Sequence, residues 1–288
     1  MADAPLRPGT EAAAYVKTMY DADFRLKAYE DSVIVADFDM PQGVDKIGNS
    51  LVIRIVPTIA AQSLTSTGTG IALNYDGTTA TSVSCNPVGR YGAVEIPIHL
   101  VAKMANGEET ALKTAYRNQL MGSVKESFDA YAGSTLGPGL SNTKGPANFD
   151  KTSLLDAKQT LRINAKSHYN MKTSQVFVKY HPSQVKYLES ITEIMNADAR
   201  GDSENPNVAG FVVKAWGMTF GESGNIYSAA GVVYNILHLK SAFVRGYNQP
   251  AFLLDPQPFE LVTRFISYLE GGVVEVFDED GILFKSAA

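Results

Sequence analysis

A single cysteine, Cys85, occurs in the 288 residues of this chain. No disulfide can close within it, which fits synthesis in a reducing cytoplasm, and zinc fingers and Cys-x-x-Cys pairs are excluded. Cys85 itself reads as a small residue of a strand or loop; a reactive or cross-linking thiol is the functional alternative. Histidine is scarce as well. His99, His168, His181 and His238 fall in no metal-ligand spacing such as His-x-x-x-His. Positive charge is outweighed, with 25 Lys and Arg against 30 Asp and Glu, a net charge of −5 and no basic run. A protein that grips nucleic acid needs a basic stripe, because phosphate neutralisation supplies most of that affinity. No apolar run approaches the about 20 residues needed to cross a bilayer. The opening Met1-Ala2-Asp3-Ala4-Pro5-Leu6-Arg7-Pro8 has no apolar signal core. The expectation is a soluble chain with no membrane partner. Its apolar fraction of 45% and charged fraction of 19% are those of an ordinary globular protein, long enough for one elaborated domain or two.

Enzyme signatures are missing too. Gly68-Thr69-Gly70 lacks both the third glycine of a dinucleotide fingerprint and the Gly-Lys-Ser/Thr of a phosphate loop. Gly221-Glu222-Ser223-Gly224 is one residue short of a nucleophile elbow. Asp198, Asp202 and Glu204 share a loop that lacks the glycine and terminal Glu of a calcium site. Arg200-Gly201-Asp202 is a three-residue match to an adhesion motif, too short to carry a function. Asp278-Glu279-Asp280 reads as a solvated turn, and His181 as a residue that helps to cap the helix after it. No catalytic, cofactor-binding or metal-binding residue is assigned, and no cofactor is expected.

What the chain does contain is an ordered series of segments. A proline-bearing extended start leads into helical spacing from Glu11 to Tyr29. Val33-Ile34-Val35-Ala36 and Leu51 to Val56, which Pro57 ends, are β-branched and read as strands. Ser63 to Gly70 and Asp76 to Ser84 are too polar for a core and read as the tip of a long hairpin or loop, with a plain surface insertion as the alternative. Val94 to Ile98 alternates as a returning strand. Leu112, Tyr116, Leu120, Val124 and Phe128 then recur every four residues, predicting a long amphipathic helix over about Glu108 to Ala132. Asn106 and Glu109 stand as its capping box and Gly133 as its stop, with a loop over Leu136 to Pro146. A second helix is expected from Ser153, with Asp156 in the capping-box position, and a strand from Val176 to Tyr180. Pro182 opens a third helix, with Val185, Leu188, Ile191 and Met195 on its apolar face. After a polar loop over Asp198 to Asn207 the chain is mainly β, with Phe211–Val213, Val232–Val233 and Val273–Phe277 as strands. The fold class is α+β, since no regular βαβ alternation supports a doubly wound sheet.

This order resembles the major capsid protein of tailed DNA phages, of the Hong Kong 97-type fold. The segments that carry the likeness are the excursion Lys46 to Leu100, the long helix Glu108 to Ala132, the helix Ser153 to Ala165 and the strand Val176 to Tyr180. Tyr180-His181-Pro182-Ser183-Gln184-Val185 and the ending Leu269-Glu270-Gly271-Gly272-Val273-Val274-Glu275-Val276 complete it. The resemblance implies an N-terminal arm and helix (1–45), an extended E-loop (46–100), a P domain with spine helix and second helix (101–175), an A domain (176–260) and returning P-domain strands (261–288). It implies hexamers and pentamers of an icosahedral head shell enclosing double-stranded DNA, with a separate scaffolding protein, a portal and decoration proteins as partners. The packaged DNA would be held without sequence-specific binding. The location would be the virion, after synthesis in the host bacterial cytoplasm. No fused scaffolding segment and no Lys–Asn crosslink are recognised. Two other readings fit the same features, an encapsulin-like nanocompartment shell and an unrecognised α+β enzyme.

Overall fold

The computed structural model describes residues 32–40, 51–55, 66–67, 70–71, 81–97, 108–147, 149–166, 169–170, 174–191, 194, 214–247, 251–257 and 260–287. The expected helix Glu11 to Tyr29, Pro57, His99, Asn106, His168, Met195, the Asp198 to Asn207 loop and the Phe211–Val213 strand lie outside them.

In chain order the strands are β1 (Leu51–Ile55), β2 (Ser66–Thr67), β3 (Gly70–Ile71), β4 (Thr81–Cys85) and β5 (Val88–Pro97). Helix α1 (Glu108–Gly139), β6 (Thr143–Lys144), α2 (Lys151–Asn164), β7 (Val176–Tyr180) and α3 (Val185–Glu189) follow. The rest is β8 (Lys214–Ala215), β9 (Met218–Glu222), β10 (Ser228–Ala229), β11 (Val232–Leu239), β12 (Phe243–Tyr247), β13 (Ala251–Gln257), β14 (Val262–Glu275) and β15 (Gly281–Ala287). Helices and strands interleave irregularly, as the α+β reading expects. Two compact units are formed, and α1 and β14 each belong partly to both. The first unit takes in Gly89–Phe128 and Gln249–Glu270; the second takes in Val33–Val88, Asp129–Asn248 and Gly271–Ala288.

The second unit is built on a mixed sheet of order β6-β15-β11-β7-β9-β8, with β10 on β11. One face carries Val176, Val178 and Tyr180 of β7, Leu237 and Leu239 of β11, and Ile282 and Phe284 of β15. It packs on Leu154, Ala157 and Leu161 of α2 and on Leu188 and Ile191 around α3. The other face carries Phe177, Lys179 and His238, all buried. Strand β7 is therefore covered on both sides, which is why its sequence is nearly all apolar. In the same unit β1 and β4 pair antiparallel from Leu51↔Cys85 to Ile55↔Thr81, and β2 and β3 pair within the excursion between them. Of the polar stretch between β1 and β4, only Ser66–Thr67 and Gly70–Ile71 are described.

The first unit is a sheet in which β14 pairs with β13 antiparallel, Ala251↔Tyr268 to Gln257↔Val262, and also with β5. Ile96 and Phe265 are buried, with Val94, Phe252, Tyr116 and Leu120 packed around them, so one face of the sheet rests on the first part of α1. Gly92 lets α1 come close: a Cβ there would stand 3.2 Å from the Leu120 side chain.

Several local expectations are corrected. Val33 to Ala36 is not a strand. Val35–Asp37 is a 3₁₀ turn. The Asp129 carboxylate of α1 accepts hydrogen bonds from the backbone N–H of Val33, Ile34 and Val35, at 3.4, 3.0 and 3.1 Å. Three parallel N–H groups converging on one acceptor require a turn, and that outweighs β-branched propensity. Gly133 does not stop α1, which runs on to Gly139 through Pro138 in its last turn, so the loop expected from Leu136 begins only at Leu140. Gly133 is instead a packing glycine, since a Cβ there would lie 2.4 Å from the Asn225 carbonyl oxygen. Helix α2 begins at Lys151, two residues before the expected Ser153; its N-cap is Asp150, whose side chain accepts from the Ser153 N–H at 2.8 Å. Helix α3 ends at Glu189, where Ser190 Oγ donates to the Tyr187 carbonyl at 2.6 Å and Ile191 N–H bonds back three residues to Leu188. Leu188 and Ile191 still reach the core. Asp278–Asp280 is a turn, but not wholly a solvated one: Asp280 is buried and accepts from Ser241 Oγ at 2.5 Å.

Candidate functional site

Among the described residues, those singled out in the sequence are not brought together. His181 caps the turn Pro182–Gln184: its ring Nδ1 accepts from the Ser183 N–H at 3.2 Å, as expected of a histidine before a helix. His238 lies in the core of the second unit. Cys85 is half-buried in β4, and burial pushes its thiol pKa up, away from the reactive thiolate. Its sulfur occupies the space left by Gly272, where a Cβ would stand 2.7 Å away. Gly221 and Glu222 end β9, and the buried Ser223 accepts from the Asn225 N–H, so it is held as a turn residue. Asp198, Arg200, Asp202 and Glu204 lie outside the described residues, as do Gly68 and Thr69. No group of three His, Cys, Asp or Glu side chains placed to hold a metal ion occurs among the described residues. No described helix is long and apolar enough to cross a membrane.

The feature with functional content is a sheet face in the first unit. Residues alternate across a strand, so β5 sends Gly92, Val94 and Ile96 toward α1 and Gly89, Tyr91, Ala93 and Glu95 to the other side. On that outer side Gly89 lies against the Tyr268 ring, where a Cβ would stand 3.1 Å from the tyrosine hydroxyl. Arg264 Nε donates to Glu95 at 2.6 Å. Ile266 of β14 faces the same side as Arg264 and Tyr268, and its partner on β13 is Leu253. Two rows result, Ile266–Leu253 and Tyr268–Ala251, with Tyr91 and Gly89 of β5 on the same side of the sheet. Tyr91 is 77% exposed, Leu253 57% and Tyr268 40%. At the turn between β13 and β14, Leu261 is 65% exposed and holds a left-handed backbone, φ 55°, a conformation uncommon outside glycine.

Carboxylates border the rows. Arg264 is shared between Glu95 and Glu260, with a 2.7 Å bond to the latter, which raises its pKa further. Tyr268 Oη donates to Glu270 at 3.1 Å. Strand β13 has β14 on one side and no described strand on the other. A cluster of exposed apolar side chains is what a protein surface presents where another chain is to lie. The sequence signal for it was weak: Leu253-Leu254 and Tyr91 look like core residues in any one-dimensional reading.

No family model matches the chain, and no curated protein sequence matches it. Solved structures do. A chain of Mycobacterium phage Che8 superposes with a TM-score of 0.71 at 16% identity, covering 91% of this chain and 94% of that one. The capsid chain of cyanophage P-SCSP1u gives a TM-score of 0.67 at 15% identity over 92% and 91%. The capsid chain of an empty gene-transfer-agent particle gives 0.60 at 12% identity over 95% and 98%. With the likeness running over nearly the full length on both sides, the chain has the fold of phage and gene-transfer-agent capsid proteins.

Proposed function

We propose that this chain is a major capsid protein, which tiles through hexamers and pentamers into the icosahedral head shell around the double-stranded DNA genome of a tailed phage. The observation that carries the reading is the full-length likeness to capsid chains. The open apolar face of the first unit supports it, because a tiling protein needs contacts that repeat between identical copies. On this reading the chain is a structural protein and not an enzyme, and its place is the virion after synthesis in the host cytoplasm.

The finer anatomy follows the family pattern. Residues 1–45 are the N-terminal arm and helix, 46–100 the E-loop, 101–175 the P domain with α1 as spine helix and α2 behind it, 176–260 the A domain, and 261–288 the returning P-domain strands. The β1–β4 hairpin, two strands wide, supports the E-loop assignment: a two-stranded ribbon is marginal alone and gains burial by lying on a neighbour. A separate scaffolding protein, a portal and decoration proteins are the expected partners. The net charge of −5 favours confining DNA over gripping it.

Electron microscopy of the purified protein, alone and with phage scaffolding protein, tests the proposal. Closed shells of one diameter, or rings of five and six subunits, are the expected outcome. A strictly monomeric species under every salt and scaffold condition overturns it.

A further inference from the structure

The second unit buries an imidazole, that of His238. His238 is fully buried in β11, paired with Phe177 of β7 on one side and Gly281 of β15 on the other. Phe177 stacks on the ring at 5.4 Å, Phe38 meets it edge-on at 5.4 Å and Phe243 lies 5.1 Å away. Gly281 leaves the room that Phe243 fills, since a Cβ there would come within 3.2 Å of it. Ring Nδ1 lies 2.9 Å from the Leu239 carbonyl, which makes it the protonated nitrogen. Nε2 is buried without a hydrogen-bond partner.

One wall of this cage is not part of the sheet. Phe38 belongs to the strap Val33–Asp39, which is held by the Asp129 carboxylate at its start and by an ion pair between Asp37 and the buried Lys179 in its middle. At its end Asp39 N–H donates to the Phe243 carbonyl at 3.0 Å and Arg245 N–H to the Asp39 carbonyl at 2.9 Å. The other two rings, Phe177 and Phe243, sit on paired strands. The backbone of the strap is joined to the sheet only by the single bridge of Asp39 to Val244, so it is the wall whose departure disturbs the strands least.

We propose that His238 is an acid-operated trigger for the strap: a proton on Nε2 finds no acceptor inside the cage, and Phe38 and its strap swing out to let water reach it. The ionisable groups on the surrounding elements are Asp37 and Asp39 on the strap, Lys179 on β7, Lys240 and Arg245 around β12, Glu275 on β14 and Asp280 before β15. Of these, Lys179 and Asp37 act on the ring in opposite senses, the ammonium more strongly. Burial is the largest influence, and it holds the imidazole pKa down at about 4 in the closed state. The sign follows. An opened His238 takes its proton near the ordinary 6.5, the closed one only near 4, so closure is fully favoured above 6.5 and loses ground as pH falls. The open-to-closed ratio rises by up to about 300-fold across that window.

Hydrogen exchange of the full-length protein, read by mass spectrometry from pH 7.5 to 4.5 and corrected for intrinsic rates, tests this. Protection of the peptide spanning Val33–Asp39 should fall at least tenfold, while peptides from β7 and β11 stay protected. His238→Phe, which fills the cage without a titratable nitrogen, should keep the strap closed throughout. An unchanged strap in the wild type, or an equal acid response in His238→Phe, overturns the proposal. Exchange of the imidazole C2 hydrogen gives an answer on the unmodified protein: a His238 titration below pH 5 supports the trigger, and one near 6.5 sinks it.

Discussion

Asp129 shows how one side chain decides the course of a distant segment. It is fully buried, yet no described basic group pairs with it; what satisfies it is a set of backbone N–H groups some 95 residues away in the chain. Burial raises its pKa and those N–H bonds lower it, with burial the larger. Glu275 shows the same conflict with a measurable outcome. Burial first, and the neighbouring Asp278 second, push its pKa up to about 7, while a backbone bond from Ser141 pulls the other way. Its folded pKa lies above the unfolded 4.5, so the folded state holds the extra proton and stability declines as pH rises from 4.5 to 7. Because the side chain is half-exposed, solvent screening trims the effect to on the order of 1–2 kcal/mol. Glu275→Gln should therefore raise the melting temperature at pH 8 and leave it unchanged at pH 4.5. Equal shifts at both pH values would show that the carboxyl does not titrate with folding.

At the scale of elements, α1 does two jobs along its length. Its first part covers the sheet of the first unit through Tyr116 and Leu120, and its later part serves the second unit through Asp129, Ala132 and Leu136. The four-residue apolar period announced this stripe correctly; Phe128 is 2% exposed and Leu120 is half-buried. The period could not announce where the helix stops. Gly133 looked like a C-terminal glycine because glycine has no preference of its own for either role, and only the Asn225 carbonyl pressed against it reveals the packing role. Gly133→Ala should cost about 1–3 kcal/mol through overpacking, despite alanine's better helix propensity. Urea unfolding measures it; a stabilised variant would mean that the loop carrying Asn225 yields freely.

For the whole molecule, the proposed capsid role requires a surface that meets the next copy. The outer face of β5, β14 and β13 is the assembly candidate because Tyr91, Leu253 and Tyr268 are exposed on it, while Ile96, Phe265 and Leu269 on the opposite face are buried. Tyr91→Glu with Leu253→Glu should leave subunit stability within about 0.5 kcal/mol, as exposed substitutions do. Shell yield by light scattering and sedimentation should fall at least tenfold. Normal shells from the double variant would place the subunit contacts on other surfaces.

The amino-acid sequence by itself determined the composition-level conclusions and the local elements. One cysteine, four scattered histidines and no phosphate loop gave no site to expect, and the residue patterns located β7, α2 and the start of α1 to within two residues, while β5 begins six residues before and α1 ends seven residues after the expected bounds. Such patterns are legible because they depend only on neighbours within a turn or a strand. Tertiary structure alone decided the 3₁₀ turn at Val35–Asp37, the burial of Asp280, the aromatic cage at His238 and the uncovered face around Tyr91. Each depends on a partner far along the chain: Asp129 for the turn, Ser241 for Asp280, Phe38 and Phe243 for the imidazole, Tyr268 and Arg264 for the face. A buried carboxylate or imidazole takes its energy from desolvation and from the few groups that the fold brings within hydrogen-bond reach, and residue order does not encode that distance.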